Sequence, residues 1–345
     1  MCFTDTLIIH SMDYLNELQQ CIYKGIPYKP LLVKLKLLDN CNLKCRMCNH
    51  WKHVSSFKKH HFYYPILDEL AELGCKKIHI TGGEPLLYPK LNKILKYIRD
   101  NYRQIQVSMT TNGTLIDEAM AEMLFNCGVD AYSISIDSPE PNIHDSIRGV
   151  EGAFTKTCKG IGNLKKSYGP FPVNICINTL ITPWNYKTLF DLPRLANELG
   201  ANDLNFIPLH IHNQNSHLLS EDQIREFKET IIPVLLSEAA KYKYDISKED
   251  LIEESDVNNM YLHQPCYALW THLVIDPHGK VFPCCVLRGT EVGGLNNNAI
   301  TEIWNGEVYQ RLRQTKNLPI HQDCLRCKVF FKRQESIMKL IGNLS

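Results

Sequence analysis

The sequence has almost no net charge of either sign. Lys and Arg number 38 against 37 Asp and Glu, a formal +1, which gives no electrostatic case for a nucleic-acid or membrane partner. Long hydrophobic runs are missing too: none approaches the roughly 18 apolar residues that cross a bilayer. Met1 to His10 has no basic segment ahead of an apolar stretch, so no secretory signal is read there and a cytoplasmic chain is expected. There is no repeat of fixed period and no low-complexity segment, which sets aside solenoids and biased tails.

What is there is an ordinary globular composition, 345 residues with 44% hydrophobic and 22% charged. That length suits one large domain plus a smaller appendage. The unusual feature is 14 cysteines. Without an export signal, clustered cysteines read better as metal or cluster ligands than as disulfides.

Apolar runs at Leu31–Leu38, Lys77–Thr81, Ile105–Thr111, Ala131–Asp137, Val173–Ile181 and Asp203–Pro208 alternate with helix-like stretches. The latter are Pro65–Leu73, Leu91–Tyr102, Asp117–Cys127, Ala153–Tyr168 and Tyr186–Leu199, and several end in Gly, as helices tend to. Six such units predict an α/β fold on a parallel sheet, barrel-like or open, with its chemistry at the C-terminal ends of the strands. Beyond Pro208 the texture changes. Residues 210–217 read as a polar loop, Ser220 to Gln223 as a capping box, and the helix that follows should kink near Pro233. From about residue 262, short strands and turns take over. Leu273–Asp276 and Lys280–Pro283 read as a hairpin turned at Pro277-His278-Gly279.

Cys41, Cys45 and Cys48 form C-x3-C-x2-C directly after the first strand. Zinc sites usually take four ligands, whereas iron–sulfur clusters are held by Cys thiolates. Three thiolates on a 4Fe–4S cube leave one iron open to a small chelating molecule. Gly82-Gly83-Glu84-Pro85 ends the second strand, Thr111-Asn112-Gly113 the third, and Ser135-Ile136-Asp137 the fourth, followed by Arg148-Gly149. In this order and at these strand ends, the motifs resemble the radical S-adenosylmethionine (SAM) superfamily over residues 31–210. The resemblance implies a partial (β/α)6 TIM-like barrel of parallel strands. It also implies a 4Fe–4S cluster on Cys41, Cys45 and Cys48, and SAM on the open iron. Gly82, Gly83 and Glu84 would support the methionine amino group, with Ser135 and Asp137 on the ribose, joined by Asn112. Arg148 is the candidate partner of the SAM carboxylate. The residue before the third cysteine is usually aromatic in this family. Here it is Met47, which makes a softer contact near the adenine.

Cys266, Cys284, Cys324 and Cys327 form a second group around the hairpin. Their spacing resembles the C-terminal cluster-binding extension called SPASM, in its shortened twitch form, and implies one auxiliary 4Fe–4S cluster with every iron ligated. A four-cysteine zinc ribbon fits the same spacing. The expected divisions are an N-terminal extension to residue 30, the core over 31–210, a helical linker over 211–261 and the small β-hairpin/helix cluster-binding domain over 262–345.

The resemblance implies cleavage of SAM to methionine and a 5′-deoxyadenosyl radical that removes hydrogen from an unactivated carbon, after reduction by an external donor such as flavodoxin or ferredoxin. Net two-electron oxidation of a small sugar-like or natural-product substrate is the leading expectation, a short peptide being the other substrate size. His210, His212 and Lys187 are weak candidate bases. Epimerisation by thiol hydrogen return is the runner-up, with Cys176 or Cys285 as donor, although both also fit small buried residues. A non-catalytic zinc protein on a degenerate barrel is the rival of another class.

Overall fold

The computed structural model describes residues 12–54, 57–208, 217–251, 266–287, 289–314 and 324. Helix α1 (Met12–Lys24) leads into a ladder of strands and helices. These are β1 (Leu32–Lys36), α2 (Tyr63–Glu72), β2 (Lys77–Thr81), α3 (Leu91–Asn101), β3 (Gln106–Thr111), α4 (Glu118–Asn126) and β4 (Ala131–Ser135). Then come α5 (Pro141–Arg148), α6 (Ala153–Tyr168), β5 (Asn174–Ile181), α7 (Leu192–Leu199) and β6 (Asp203–Pro208). All six strands fall within the apolar runs. Helix α5 is not announced by the sequence pattern: its eight residues are too few to show a helical period, and Pro141 at its start is the one local cue.

The capping box at Ser220 forms, with both reciprocal hydrogen bonds, and opens α8 (Glu221–Glu226). The kink expected at Pro233 is a π-type turn over Phe227–Ile231 that leads into α9 (Ile232–Lys241). Proline has no N–H for the Glu229 carbonyl one turn back, and a widened turn absorbs the mismatch.

The hairpin consists of β7 (His272–Ile275) and β8 (Lys280–Phe282), followed by the short β9 (Gly293–Gly294) and helices α10 (Ile300–Asn305) and α11 (Glu307–Gln314). It joins the same sheet, whose order is β6-β5-β4-β3-β2-β1-β7-β8-β9. Strand β7 runs parallel to β1, with Leu32 opposite His272 and Leu35 opposite Ile275. All pairings from β7 through β1 to β6 are parallel, and only the hairpin and β9 turn back.

The two faces of this sheet differ. Val33, Leu35, Ile78, Ile80, Val107, Met109, Tyr132, Ile134, Ile175, Ile177, Leu204 and Phe206 belong to the main apolar core, together with residues of α2, α3, α4 and α6. The alternate positions are polar: Lys34, Lys36, His79, Ser108, Thr110, Ser133, Ser135, Cys176, Asn178 and Asn205. By the two-residue period of a strand they share the inner face. His79 bridges Ser108 (2.8 Å) and Thr110 (2.9 Å) across that face, and Asn205 donates to Asn178 (3.0 Å).

The appendage is tied back by buried polar contacts. The indole of Trp304, fully buried, donates to the Tyr28 carbonyl at 2.7 Å, and the Tyr309 hydroxyl donates to the His272 carbonyl at 3.1 Å. Thr301 donates twice to Glu69 of α2. Helix α1 packs its Leu18 and Cys21 on Tyr267, Leu269 and Trp270. Among the described residues no helix is long and apolar enough to cross a membrane.

Candidate functional site

The first cysteine loop leaves the C-terminal end of β1 and is pinned on two sides. On one side, Gly83 N–H donates to the Leu38 carbonyl (2.8 Å) and Glu84 N–H to the Asn40 carbonyl (3.0 Å). On the other, Lys44 and Arg46 N–H groups donate to the Arg148 and Ile147 carbonyls (2.9 Å each). The fit is so close that a Cβ on Gly83 would sit 2.0 Å from the Asn40 oxygen, and one on Gly149 would lie 2.4 Å from the Lys44 oxygen. These two glycines are there because backbone meets backbone. Cys45 is buried with Leu43 and Ala153, while Cys41, Met47 and Cys48 are half-buried beside them.

The strand-end residues turn out to be staples for this loop. Glu84 is buried, and its carboxylate accepts from the Thr111 hydroxyl (2.6 Å), the Asn112 N–H (2.8 Å) and the Leu86 N–H (3.2 Å). Burial raises its pKa to about 7, against the pull of those donors. Its carboxylate therefore ties the end of β2 to the end of β3 and leaves the Gly82–Glu84 backbone to face a ligand. Asn112 is also committed. Its amide donates to Asn42 Oδ1 (2.9 Å) and lies 3.8 Å from Cys41 Sγ, while its oxygen accepts from Thr114 N–H and hydroxyl.

Asp137 and Arg148 meet each other. The Arg148 Nε lies 2.8 Å from Asp137 Oδ2, with both side chains buried. Leu180 N–H donates to the other carboxylate oxygen at 3.2 Å. Arg148 Nη1 is 3.8 Å from Cys45 Sγ. Ser135 is half-buried at the end of β4. His144, one helical turn before Arg148, accepts the Asp137 N–H through Nδ1 (3.2 Å) and is therefore neutral. Burial, then Arg148, lowers its pKa to about 3.

Asn42, Thr114 and His144 are supports to which the sequence analysis gives no role, and Thr111, although part of a strand-end motif, owes its role to its bond to Glu84. The apolar runs also mask the polar inner face, although the alternation in Leu-Val-Lys-Leu-Lys and Lys-Ile-His-Ile-Thr carries it. Lys187 is an exposed residue paired with Glu226 at 2.8 Å. His210, His212 and Cys327 lie outside the described residues. Cys176 is buried on the inner face of β5, with its sulfur 3.7 Å from the Ile177 carbonyl and 3.7 Å from Asn178 Oδ1.

Cys284 follows β8 and accepts the Leu287 N–H at 3.4 Å. Burial pushes its thiol well up, with Cys285 and then Cys266 adding to the shift, so these three sulfurs share one neighbourhood. Cys324 is half-buried. Because β8 runs antiparallel to β7, Cys284 lies toward the N-terminal end of β1, opposite the first loop. Strand β1 separates the two by roughly 13 Å of rise.

Both places suit iron–sulfur clusters. In the first, three N–H donors aim at sulfur: Leu43 and Asn112 at Cys41, and Arg148 at Cys45. Such donors stabilise thiolates on iron. Burial otherwise pushes the Cys41 thiol up to about 11, a cost that a bound cation removes. Among the described residues no three His, Cys, Asp or Glu side chains converge on a single ion. In the second, Arg313 is a buried cation with an unpartnered Nη2, stacked on Trp304 (4.4 Å) and Tyr309 (4.5 Å). An anionic cluster nearby would compensate it.

Comparison with known proteins agrees. The radical SAM superfamily model matches residues 35–196, and the SPASM iron–sulfur cluster-binding domain matches 266–328. The chain is a radical SAM enzyme with a SPASM domain. It accordingly uses SAM, a 4Fe–4S cluster and auxiliary iron–sulfur chemistry. It is 28% identical to the AdoMet-dependent heme synthase of Methanosarcina barkeri, covering 84% of this chain and 86% of that one. It is 26% identical to the PqqA peptide cyclase of Granulibacter bethesdensis, over 86% and 79%. In fold it is similar to Streptococcus suis SuiB bound to S-adenosylmethionine, with TM-score 0.63, 17% identity, and 87% and 69% coverage.

The close backbone approach at the radical SAM site can be probed directly. Gly83→Ala should reduce iron retained after anaerobic reconstitution severalfold, whereas Gly162→Ala, where a Cβ meets nothing within 4 Å, should retain the wild-type amount. For His144 the folded pKa lies below the unfolded 6.5. Between them only the unfolded chain binds the proton, so stability falls as pH drops from about 6.5 toward 3, by up to about 1.4 kcal/mol per unit. In His144→Gln the urea midpoint should lose that part of its pH slope.

Proposed function

We propose that this enzyme removes hydrogen from an unactivated carbon of a polar, anionic small molecule or short peptide, with net two-electron oxidation. The observation that carries this reading is the single sheet, with the two cysteine groups at opposite ends of β1 and a polar inner face between them. Cys41, Cys45 and Cys48 would hold the first cluster, and Cys266, Cys284, Cys324 and Cys327 the second. When bound, SAM with its cluster supplies a 5′-deoxyadenosyl radical, and the auxiliary cluster supplies an electron sink.

The chain's own part is positioning. The Gly82–Glu84 backbone and Ser135 face the SAM end, and the Asp137–Arg148 pair holds the loop carrying Cys45. On β1, Lys34 and Lys36 project from the inner face, a setting that favours a carboxylate or phosphate on the substrate. His79, Asn178 and Asn205 supply further polar contacts there. The relatives named above include a heme synthase and a peptide cyclase, which supports both substrate sizes. Oxidation is favoured over epimerisation because the second cysteine group offers an electron sink, and Cys285 lies beside Cys284, away from the SAM end.

Turnover in deuterated buffer separates the two reactions. Oxidation yields a product two mass units lighter with no deuterium at carbon, and an isomer carrying one deuterium would refute it. Replacing Cys41, Cys45 and Cys48 together by Ala should lower bound iron from about eight to about four per chain and abolish SAM cleavage. Lys34→Met should raise KM for the substrate about tenfold or more while leaving substrate-free SAM cleavage unchanged.

A further inference from the structure

Arg313 on α11 is a buried cation that no acid pairs with among the described residues. The other buried arginine described, Arg148, has Asp137. Arg313 Nε donates to the Leu269 carbonyl (3.0 Å) and Nη1 to the Trp304 carbonyl (2.8 Å), and the guanidinium packs on the Trp304 and Tyr309 rings. Nη2 is buried and has no hydrogen-bond partner among the described residues. Burial of an unpaired cation is costly. It pulls the Arg313 pKa down to about 10, which still leaves the group charged at neutral pH.

The points that fix Arg313 lead to the second cysteine group. Leu269 stands three residues after Cys266, on the short helical turn Ala268–Thr271 that leads into β7. The Tyr309 hydroxyl donates to the carbonyl of His272, the first residue of β7, at 3.1 Å. Burial raises the Tyr309 phenol, Arg313 opposes the rise and Cys284 adds to it. That ring is therefore within electrostatic reach of both the guanidinium and the sulfur group. Trp270, on the same turn as Leu269, is buried as well, and its Nε1 is a second donor without a partner among the described residues. Buried donors are nearly always satisfied. A cation and two orphaned N–H groups beside these cysteines suit an anionic acceptor, which is what thiolates and sulfides on iron provide.

We propose that Arg313 is the counter-cation of the auxiliary cluster and raises its reduction potential, so that the cluster accepts an electron from the substrate radical. Reduction adds one negative charge to the cluster, and a fixed positive charge in a buried, low-dielectric setting favours the reduced form. In the proposed oxidation the first electron leaves the substrate with the hydrogen atom. The second enters the cluster, and a proton goes to solvent. Arg313 is thus a positioning residue that acts through the cluster. The inference rests on the oxidative reading and on Cys266, Cys284, Cys324 and Cys327 holding iron and sulfide. It adds the residue that sets how readily the second electron is taken.

The test is a redox titration of reconstituted holoenzyme followed by electron paramagnetic resonance. Added SAM changes the signal of the cluster on Cys41, Cys45 and Cys48, so the SAM-insensitive signal reports the auxiliary cluster. In Arg313→Met the reduced-to-oxidised ratio of the auxiliary cluster at a fixed potential should fall about tenfold, which is about 59 mV for one electron. The SAM-sensitive cluster is the internal control and should keep its ratio within about twofold. Arg313→Lys retains the charge and should stay near wild type. An unchanged ratio in Arg313→Met overturns the proposal, as does an equal fall in Arg313→Lys or an equal shift of both clusters. If Arg313→Met loses the auxiliary iron, Arg313→Lys decides. Iron and potential retained with lysine uphold the need for a charge, whereas iron lost with lysine too points to guanidinium packing and overturns the proposal. Zinc in place of iron at the second cysteine group of wild type would instead sink the iron–sulfur reading on which it rests.

Discussion

The two hydrogen-bond ladders of β1 are the constraint on which the rest depends. On one side β1 pairs with β2, whose end carries Gly82 to Glu84. On the other it pairs with β7, which enters from Cys266. Its own end becomes the first cysteine loop, and its alternate side chains, Lys34 and Lys36, face the polar interior. A shift of one residue in either ladder would turn those lysines into the apolar core and carry both cysteine groups out of place.

Around that strand, charge is used to position and not left free to react. The Glu84 carboxylate accepts from three donors on neighbouring segments, and Asp137 and Arg148 neutralise one another in the interior. Removing one member of that pair would strand a buried charge, a larger loss than the pair itself contributes. The signature residues at the strand ends thus act on the cofactor region largely through the backbone and the sulfurs they hold.

Much of this is legible in the sequence. The six parallel strands, the capping box, the hairpin and the two cysteine groups follow from periodicity, turn residues and spacing, because each is a local pattern. The joining of β7 to β1 is not local. Leu32 pairs with His272 from the far end of the chain, and no short pattern encodes so distant a pairing. The Asp137–Arg148 pair and the Asn112–Asn42 link are hidden for the same reason. Residue type suggests polar ligands for SAM, while the partners that claim these side chains come from other strands and loops. The inner face is hidden differently. Its lysines and hydroxyls alternate with Val, Leu and Ile, and the apolar half of each strand dominates the pattern.

The continuity of the sheet also bears on how the halves of this protein depend on each other. Without β7, strand β1 would become an edge, with the N–H and C=O groups of Leu32–Lys36 open beside a strongly apolar outer face. Exposed edges of that kind recruit strands from other molecules. The hairpin that carries the second cysteine group therefore also guards the first half against self-association, and neither half is a self-sufficient unit for inheritance or for engineering.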